Sequence, residues 1–580
     1  MAYSVVESLL GGVDRTRPIY AVQPGSLWSG INGHLTRGGD FEQRKAFVQF
    51  AALPTGTFGL ERASSTLYTF GSQAPPSMPP GVLYQRLQHP DGLAMTALLS
   101  TDAYAGRIYA VAQYSDGTVH HFYDGTLVTD WVNGVVRASM TNNDGIAAHM
   151  QGLMTSTEWA ATVLGSVITV THGTVNTAFT TFTTFVANVE GGVDDQTFTA
   201  LKTVAAAPAV AEVWTITVAG TFEAGDRFGV TIKAATASAT VLFGAVAMPY
   251  PAGRVVKTHG RKMYAGVDTL AHFSGVDDAR LWNRDDDAGA GFIDAQAHES
   301  DSEEVIAFGK YLGYLCLISA NIIQIWDMRA DDTLNVLVQS IAETGTIAPR
   351  SVRAFGELDM FYLSESGIRS LRTRSQVALA GVNDVGTPID LLVRETWIAL
   401  SDAQRRAACA VTDPADGRFW MAVGSKIFVF TYFPSRKVSG WSWYEPGFSP
   451  EYMVAVNRRV YLRTGNTVYV YGGTDGETYD ACAVTCQLPF MGFGKPGTSK
   501  QLHGIDIAAE GRWTMDVLVD PNDLTQKVQY GEIDGWSFMS EEIAGEASAT
   551  HFAPKLTRSL TGPASVSAVA VYYTQGNAES

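Results

Sequence analysis

The feature that most constrains this chain is a strand–turn–strand unit that keeps returning. Arg107–Tyr114 is an apolar and aromatic strand, Ser115-Asp116-Gly117 turns, Thr118–Tyr123 follows, and Asp124-Gly125 turns again. Gly260–Phe273 repeats the pattern, as do Tyr311–Asp327 around Ala320-Asn321 and Asp359–Leu371 around Glu365-Ser366-Gly367. Phe419–Phe430 turns at Gly424-Ser425, and Val460–Tyr471 turns at Thr464-Gly465-Asn466. A lone hairpin cannot bury both faces. Recurrence of such units predicts an all-β chain, most simply a radial repeat: a β-propeller of about six blades with about four strands each. The spacing is irregular and Trp326-Asp327 is a single dipeptide, so this is no WD40 array. A β-sandwich or several small sheets is the alternative. Charged residues at 17%, aromatics at 11% and 57 glycines suit many short strands joined by tight turns.

Composition shifts divide the 580 residues. Residues 1–50 read as an N-terminal lead-in. Residues 51–153 form a first propeller part, with strands near Thr57–Ser72 and Val82–Gln88 separated by Pro75-Pro76 and Pro79-Pro80. Between 154 and 248 basic residues shrink to Lys202, Arg227 and Lys233 while Thr, Val and Ala dominate, which predicts an inserted β-sandwich. The propeller pattern resumes over 249–478. Alternation in Gln501–Ala509, Arg512–Val519 and Ser565–Tyr573 predicts a C-terminal β-domain over 479–580. The best helix candidate is Asp390–Cys409, with Ser401 as an N-cap.

The stretch Leu9–Phe50 carries the densest positional signals. It reads Gly11-Gly12-Val13, then Trp28-Ser29-Gly30-Ile31-Asn32-Gly33, then Arg37-Gly38-Gly39-Asp40-Phe41-Glu42-Gln43-Arg44. Gly38-Gly39 suits a tight turn, and Glu42 and Arg44 stand beside it, placed to pair with a neighbour or across a subunit contact. On residue chemistry alone the stretch reads first as a loop entering the first strand of a β-domain. A double glycine, an Asn-Gly after a short gap and a Gly-acidic-Lys/Arg turn before the first strand make it similar to the start of the tail tubular protein B (tail nozzle) family of short-tailed bacteriophages. Leu363–Arg369, Arg418-Phe419-Trp420 and Trp441-Ser442-Trp443-Tyr444 also resemble that family's pattern. The inserted domain departs from it.

The resemblance implies a structural virion protein and no enzyme. Six copies would form a ring below the portal and the head-to-tail adaptor protein, extending and gating the DNA-ejection channel. Partners would be further copies of the chain, the adaptor, tail fibre or tail tip proteins, and genomic DNA sliding through without sequence recognition. The protein would reside in the virion tail after assembly in the host cytoplasm. Arg37, Asp40, Glu42 and Arg44 are the candidate assembly contacts.

A search for chemistry points the same way. A net charge of −17 argues against a groove-type nucleic-acid binder and fits either a non-adhesive duct or an ordinary acidic protein. Cys316 and Cys409 sit in apolar runs, and Cys482 and Cys486 lack further ligands at zinc spacing, so no metal, cofactor or disulfide framework is expected. Asp285-Asp286-Asp287 lacks EF-hand spacing. His120-His121 lies in a strand, where successive side chains diverge. Neither an Asp-box series nor a nucleophile elbow is present. The N-terminus has no signal-peptide pattern, and no run is long and apolar enough for a membrane-spanning helix. Two rivals stand: a glycan-binding or glycan-cleaving propeller, monomeric with a pocket on its axis, and a trimeric receptor-binding tail protein. Long trimeric fibres usually carry low-complexity repeats, and this chain has none.

Overall fold

Turn chemistry sets the hairpins. Ala105-Gly106, Leu312-Gly313 and Asn457-Arg458 each place two successive residues at positive φ (47° and 77°, 49° and 82°, 48° and 62°). Two-residue turns of this kind twist in the sense of the strands they join. They connect Met95–Tyr104 to Arg107–Tyr114, Ala307–Tyr311 to Tyr314–Ile318, and Tyr452–Val456 to Arg459–Thr464. In this computed structural model strands take 54% of the chain and helices 7%, so the protein is mostly β, built from many antiparallel sheets. The structure describes all residues except 1, 7, 90–91, 129–142, 155, 157, 188–196, 221–226, 235–237, 245–252, 283–288, 298–302, 332–333, 357–358, 374–379, 496, 535–542 and 576–580.

The chain divides into two compact units. One comprises Met1–Asp116, Arg254–Phe273 and Phe292–Ser580; the other comprises Gly117–Gly253 and Ser274–Gly291. In the larger unit seven sheets each start with an edge strand: Phe58–Ala63, Met95–Tyr104, Val255–His259, Ala307–Tyr311, Arg353–Phe355, Cys409–Thr412 and Tyr452–Val456. Each edge strand neighbours the next in that order, and Tyr452–Val456 neighbours Phe58–Ala63, so the series closes on itself. The last sheet takes its fourth strand, Phe47–Ala52, from the N-terminal region, paired with Thr467–Tyr471. The sheet that raises the count above the six legible hairpins is Phe58–Ala63, Thr66–Gly71 and Val82–Arg86, whose last strand runs parallel across the double prolines. Aromatic rings fill the space between sheets. Trp420 stands edge-on to Tyr444 and Tyr471 at centroid distances of 5.3 and 4.8 Å, and full burial of such a ring contributes on the order of 3 kcal/mol.

The N-terminal and C-terminal regions share two further sheets. Ser29–Ile31 pairs with Val438–Tyr444 on one side, through Trp443 and Ile31, and with Val484–Gln487 on the other. That link continues one sheet of the ring into Ala553–Arg558, Arg512–Leu518 and Lys527–Asp534. A second sheet orders Ile543–Ala549, Lys500–Glu510, Ser565–Gln575, Phe41–Gln43 and Gly33–Leu35, with Ala2–Val6 also on Ser565–Gln575. One core binds all of this: Leu9, Val13, Leu35 and Phe41 pack in the same cluster as Phe419, Trp441 and Trp443, and as Leu502, Trp513 and Val569. The expected helix over Asp390–Cys409 is two helices, Asp390–Ile398 and Asp402–Arg406, because Ser401 caps the second with a reciprocal Gln404 capping box.

The smaller unit holds helix Asn143–Leu153 and two sheets. The first orders Trp159–Leu164, Val167–His172, Val213–Ala219 and Thr197–Val204; the second orders Thr181–Ala187, Arg227–Lys233 and Ser238–Gly244. Ile146 and Met150 of the helix share a core with Trp159, Ile168, Ile216, Val230 and Ile232, and Phe182 stacks on Trp214 at 4.5 Å. This unit is wider than the 154–248 segment marked by composition, since the helix buries its apolar residues against the same strands.

Candidate functional site

The stretch Leu9–Phe50 is a clasp, and backbone geometry explains its residues. Gly12 has φ +59°, and a Cβ there would sit 2.6 Å from the Trp441 nitrogen and 2.7 Å from the Gly440 Cα. Two backbones cross in contact at this point, and only glycine at both positions allows it. Asn32 takes the left-handed region at φ 52° and is 3% exposed. Its backbone N–H donates to Trp443 O at 2.8 Å and its Nδ2 to Ala483 O at 2.8 Å. Its Oδ1 accepts from Arg44 Nε at 2.9 Å and from the Glu445 backbone N–H at 2.8 Å. The following Gly33 packs directly on the Phe41 ring, where a Cβ would lie 2.4 Å from Cζ.

The candidate assembly residues fall in two groups. Arg37 is exposed at the turn between Gly33–Leu35 and Phe41–Gln43, its guanidinium 5.0 Å from the Phe433 ring centroid. Asp40 is half-buried beside it and accepts from Thr36 Oγ1 at 3.0 Å. Glu42 and Arg44 are engaged inside the chain. Arg44 is buried, donates from Nη1 to both Asp480 oxygens at 3.1 and 3.0 Å, and lies 4.8 Å from the Phe47 centroid. Glu42 lies 3.5 Å from His34 Nε2, and His34 Nδ1 meets the Tyr444 hydroxyl at 2.8 Å. Burial, and then the Arg418 charge, hold the His34 imidazole below its ordinary value against the pull of Glu42. Burial also opposes ionisation of Glu42, but the bond from His34 and the nearby cations outweigh it and hold its carboxyl low. The pair is therefore a neutral imidazole beside a carboxylate, with Nδ1 within hydrogen-bond distance of the Tyr444 hydroxyl.

Sequence reading missed the polar residues that complete the clasp. Gln43 is fully buried; its Nε2 donates to Asp480 O at 3.1 Å and Leu560 O at 3.2 Å, and its Oε1 accepts from Arg558 Nε at 2.6 Å. Phe41 is followed by three polar residues, Glu42-Gln43-Arg44, and nothing in that run marks Gln43 as the buried one or names its partners.

A second polar system seals the ring of sheets. The first strand of each sheet leaves an unpaired edge, and buried backbone groups need partners. Asp102 Oδ2 accepts from the Thr258 N–H at 2.7 Å, Ser100 Oγ from the Val256 N–H at 3.1 Å, and Thr258 Oγ1 donates to Ala103 O at 2.7 Å. Arg353 Nε donates to Ala410 O at 3.0 Å and Arg62 Nη1 to Ala455 O at 3.1 Å. Arg463, 3% exposed, joins the last sheet to the first by donating to Gly59 O at 2.6 Å and Thr69 Oγ1 at 2.8 Å. Burial raises the Glu61 carboxyl against the pull of the Arg62 N–H and Arg353, and burial with the nearby Lys257 charge lowers Lys310. Asp102, Ser100, Thr258, Arg353, Arg62 and Arg463 each bond a backbone group of a neighbouring edge strand.

Among the described residues no group of three or more His, Cys, Asp or Glu is placed to hold a metal ion, and no helix is long and apolar enough to cross a membrane. Cys316, Cys409, Cys482 and Cys486 are free thiols. His120 and His121 are both buried. Asp285-Asp286-Asp287 lies outside the described residues. No protein-family model matches the chain, and no curated protein matches it. Among solved structures it is similar to a candidate 6-phosphogluconolactonase from Bacteroides uniformis at 11% identity, over 65% of this chain and 91% of that one, with a TM-score of 0.27. A likeness this shallow bears on neither fold nor activity.

Proposed function

We propose that the protein is a structural component of a short-tailed phage virion: a tail nozzle subunit whose larger unit is a seven-bladed propeller with a C-terminal β-domain, and whose smaller unit is an inserted sandwich. The observation that supports this reading is the clasp. The residues that carry the resemblance, Gly12, Asn32, Gly33 and Arg44, are the ones that join the N-terminal stretch to a ring sheet and to the C-terminal sheets. A subunit that must hold a channel under internal pressure needs such a rigid junction, and here the side chains of Asn32, Gln43 and Arg44 are hydrogen-bonded across it.

The propeller axis is not the DNA path in this reading. Seven edge strands about 10 Å apart enclose a backbone bore of about 20 Å, which side chains then fill. Duplex DNA would pass between subunits of a ring, where the net charge of −17 disfavours adhesion to phosphates. Arg37, exposed, and Asp40, half-buried beside it, lie at the tip of a short hairpin and are the members of the expected contact set that a neighbour could reach. Electron microscopy of the purified protein, alone and mixed with portal and adaptor proteins, tests the proposal. Six-fold rings with a central channel are expected, with fewer rings for Arg37→Glu. Monomers that never assemble with those partners would overturn it.

A further inference from the structure

We propose that a pocket where three neighbouring edge strands of the larger unit begin binds a free α-amino acid as its zwitterion. The pocket holds about 360 Å³, in the range of small-ligand sites, about 300–1,000 Å³. Arg350, Ala408 and Tyr452 line it at the starts of Arg353–Phe355, Cys409–Thr412 and Tyr452–Val456. Ala403 and Ala407 close it from the short helix Asp402–Arg406 and its C-cap.

Two opposite charges face this space without meeting. Arg350 and Glu451 both line the pocket, yet no ion pair joins them. A ligand can reach both, since Glu451 is exposed and Arg350 only half-buried. Among the described residues the Glu451 carboxylate has no hydrogen-bond or ion-pair partner, and the Arg350 guanidinium makes one long bond, from Nη1 to the Tyr452 hydroxyl at 3.4 Å.

Both charges stand on fixed backbone. Arg350 belongs to the 3-10 turn Pro349–Ser351, and its guanidinium lies 4.4 Å from the centroid of the Tyr452 ring. Tyr452 is itself tied down, donating from its hydroxyl to Leu98 O at 3.3 Å. Glu451 follows the buried Pro450, and its N–H donates to Arg463 O at 2.9 Å. Groups that the fold already holds in place lose little entropy when a ligand joins them.

A cation alone would select an anion, and a carboxylate alone would select a cation. The two together, set apart by a cavity, select a small molecule that carries both charges. An α-amino acid is that complement. Its carboxylate accepts from the Arg350 guanidinium in a charge-assisted bond, its ammonium donates to Glu451, and its side chain lies against Ala403, Ala407 and Ala408. The proposal concerns binding only, and it stands apart from the nozzle reading.

The test is saturation-transfer NMR on the whole chain with glycine, alanine, leucine, glutamate and lysine at millimolar concentration, with acetate and ethylamine as single-charge counter-probes. At least one amino acid should show transfer, with affinity falling tenfold or more in Glu451→Gln and in Arg350→Gln. Circular dichroism checks that the variants are folded. Glu451→Gln changes an exposed side chain that makes no bond within the described residues, so it decides the case alone if Arg350→Gln disturbs the packing on Tyr452. No transfer to any amino acid, equal affinity in Glu451→Gln, or acetate or ethylamine binding as tightly as the best amino acid would each overturn the proposal. Ring assembly is scored by microscopy on the same samples, so failure of one reading is visible apart from the other.

Discussion

Replacing Asn32 tests the clasp directly. The side chain makes three hydrogen bonds: from Nδ2 to Ala483 O, and to Oδ1 from Arg44 Nε and the Glu445 N–H. Alanine would leave all three partners short. A buried group left unsatisfied costs about 1–3 kcal/mol, but Glu445 and Ala483 are exposed residues whose backbone groups water can reach, so Arg44 carries most of the loss. A non-glycine residue at φ 52° adds about 1 kcal/mol, which Asn tolerates better than Ala. The sum for Asn32→Ala is about 2–4 kcal/mol. Asn32→Gly relieves the backbone and should cost about 1 kcal/mol less. Asn32→Asp keeps the acceptor for Arg44 and Glu445 but turns a second carboxylate oxygen toward Ala483 O, a repulsion that the Arg44 charge offsets to a net cost of about 1 kcal/mol. Urea unfolding followed by tryptophan fluorescence reports on this region because Trp441 and Trp443 are buried beside the clasp. The expected order of destabilisation is Ala, then Gly, then Asp. An alanine variant within about 0.5 kcal/mol of the parent chain, or Asp as the worst of the three, would refute the reasoning.

Three further outcomes follow from the same geometry. Gly12→Ala should destabilise by about 2–4 kcal/mol, since its Cβ would meet the Trp441 backbone, and a melting temperature equal to the parent's would contradict the crossing. The native chain should react slowly with a thiol reagent at pH 8 and release four equivalents only on denaturation. Burial raises all four thiols, Cys409 and Cys482 to about 12, so one fast-reacting thiol in the native state would be inconsistent. Burial depresses His272 and His259 to about 4, so below pH 6.5 the unfolded chain takes up protons that the folded chain refuses. Their contribution is complete above pH 6.5 and is lost as pH falls toward about 4, and His272→Phe should flatten the urea midpoint across that window. An unchanged slope would show that His272 is not buried as described.

Hairpins were legible because both of their signals are local. Apolar runs and two-residue turns with one glycine at positive φ (59° at Gly424, 51° at Gly465) fix the strands on either side before any tertiary contact is known. Ser401 was legible as a cap for the same reason, and it divides the helical segment because its capping box starts a second helix. Partnerships across the chain were not legible. Phe47–Ala52 lies at the edge of the expected lead-in loop, and nothing in its residues says that it is a strand paired with Thr467–Tyr471. Charge in a turn was likewise ambiguous: Arg37 and Arg44 look alike in sequence, yet one lies at the surface and the other is held by Asn32 and Asp480. Only the register of Phe41–Gln43 against Gly33–Leu35 and Ser565–Gln575 separates them.

The ring and the clasp solve one problem at two places. A closed series of sheets needs its last member joined to its first, and the chain must bring distant segments together to do so. Closure entropy grows slowly with loop length, so a long-range joint is affordable where it ends in many cooperative bonds. Here Arg463 reaches Gly59 and Thr69, Phe47–Ala52 completes the sheet of Thr467–Tyr471, and Asn32 and Arg44 reach Ala483 and Asp480. All three joints lie between the first 70 residues and the segment 463–483, so they support one another and fail together. That coupling is why a cluster of small and polar residues near the N-terminus accounts for so much of the chain's geometry.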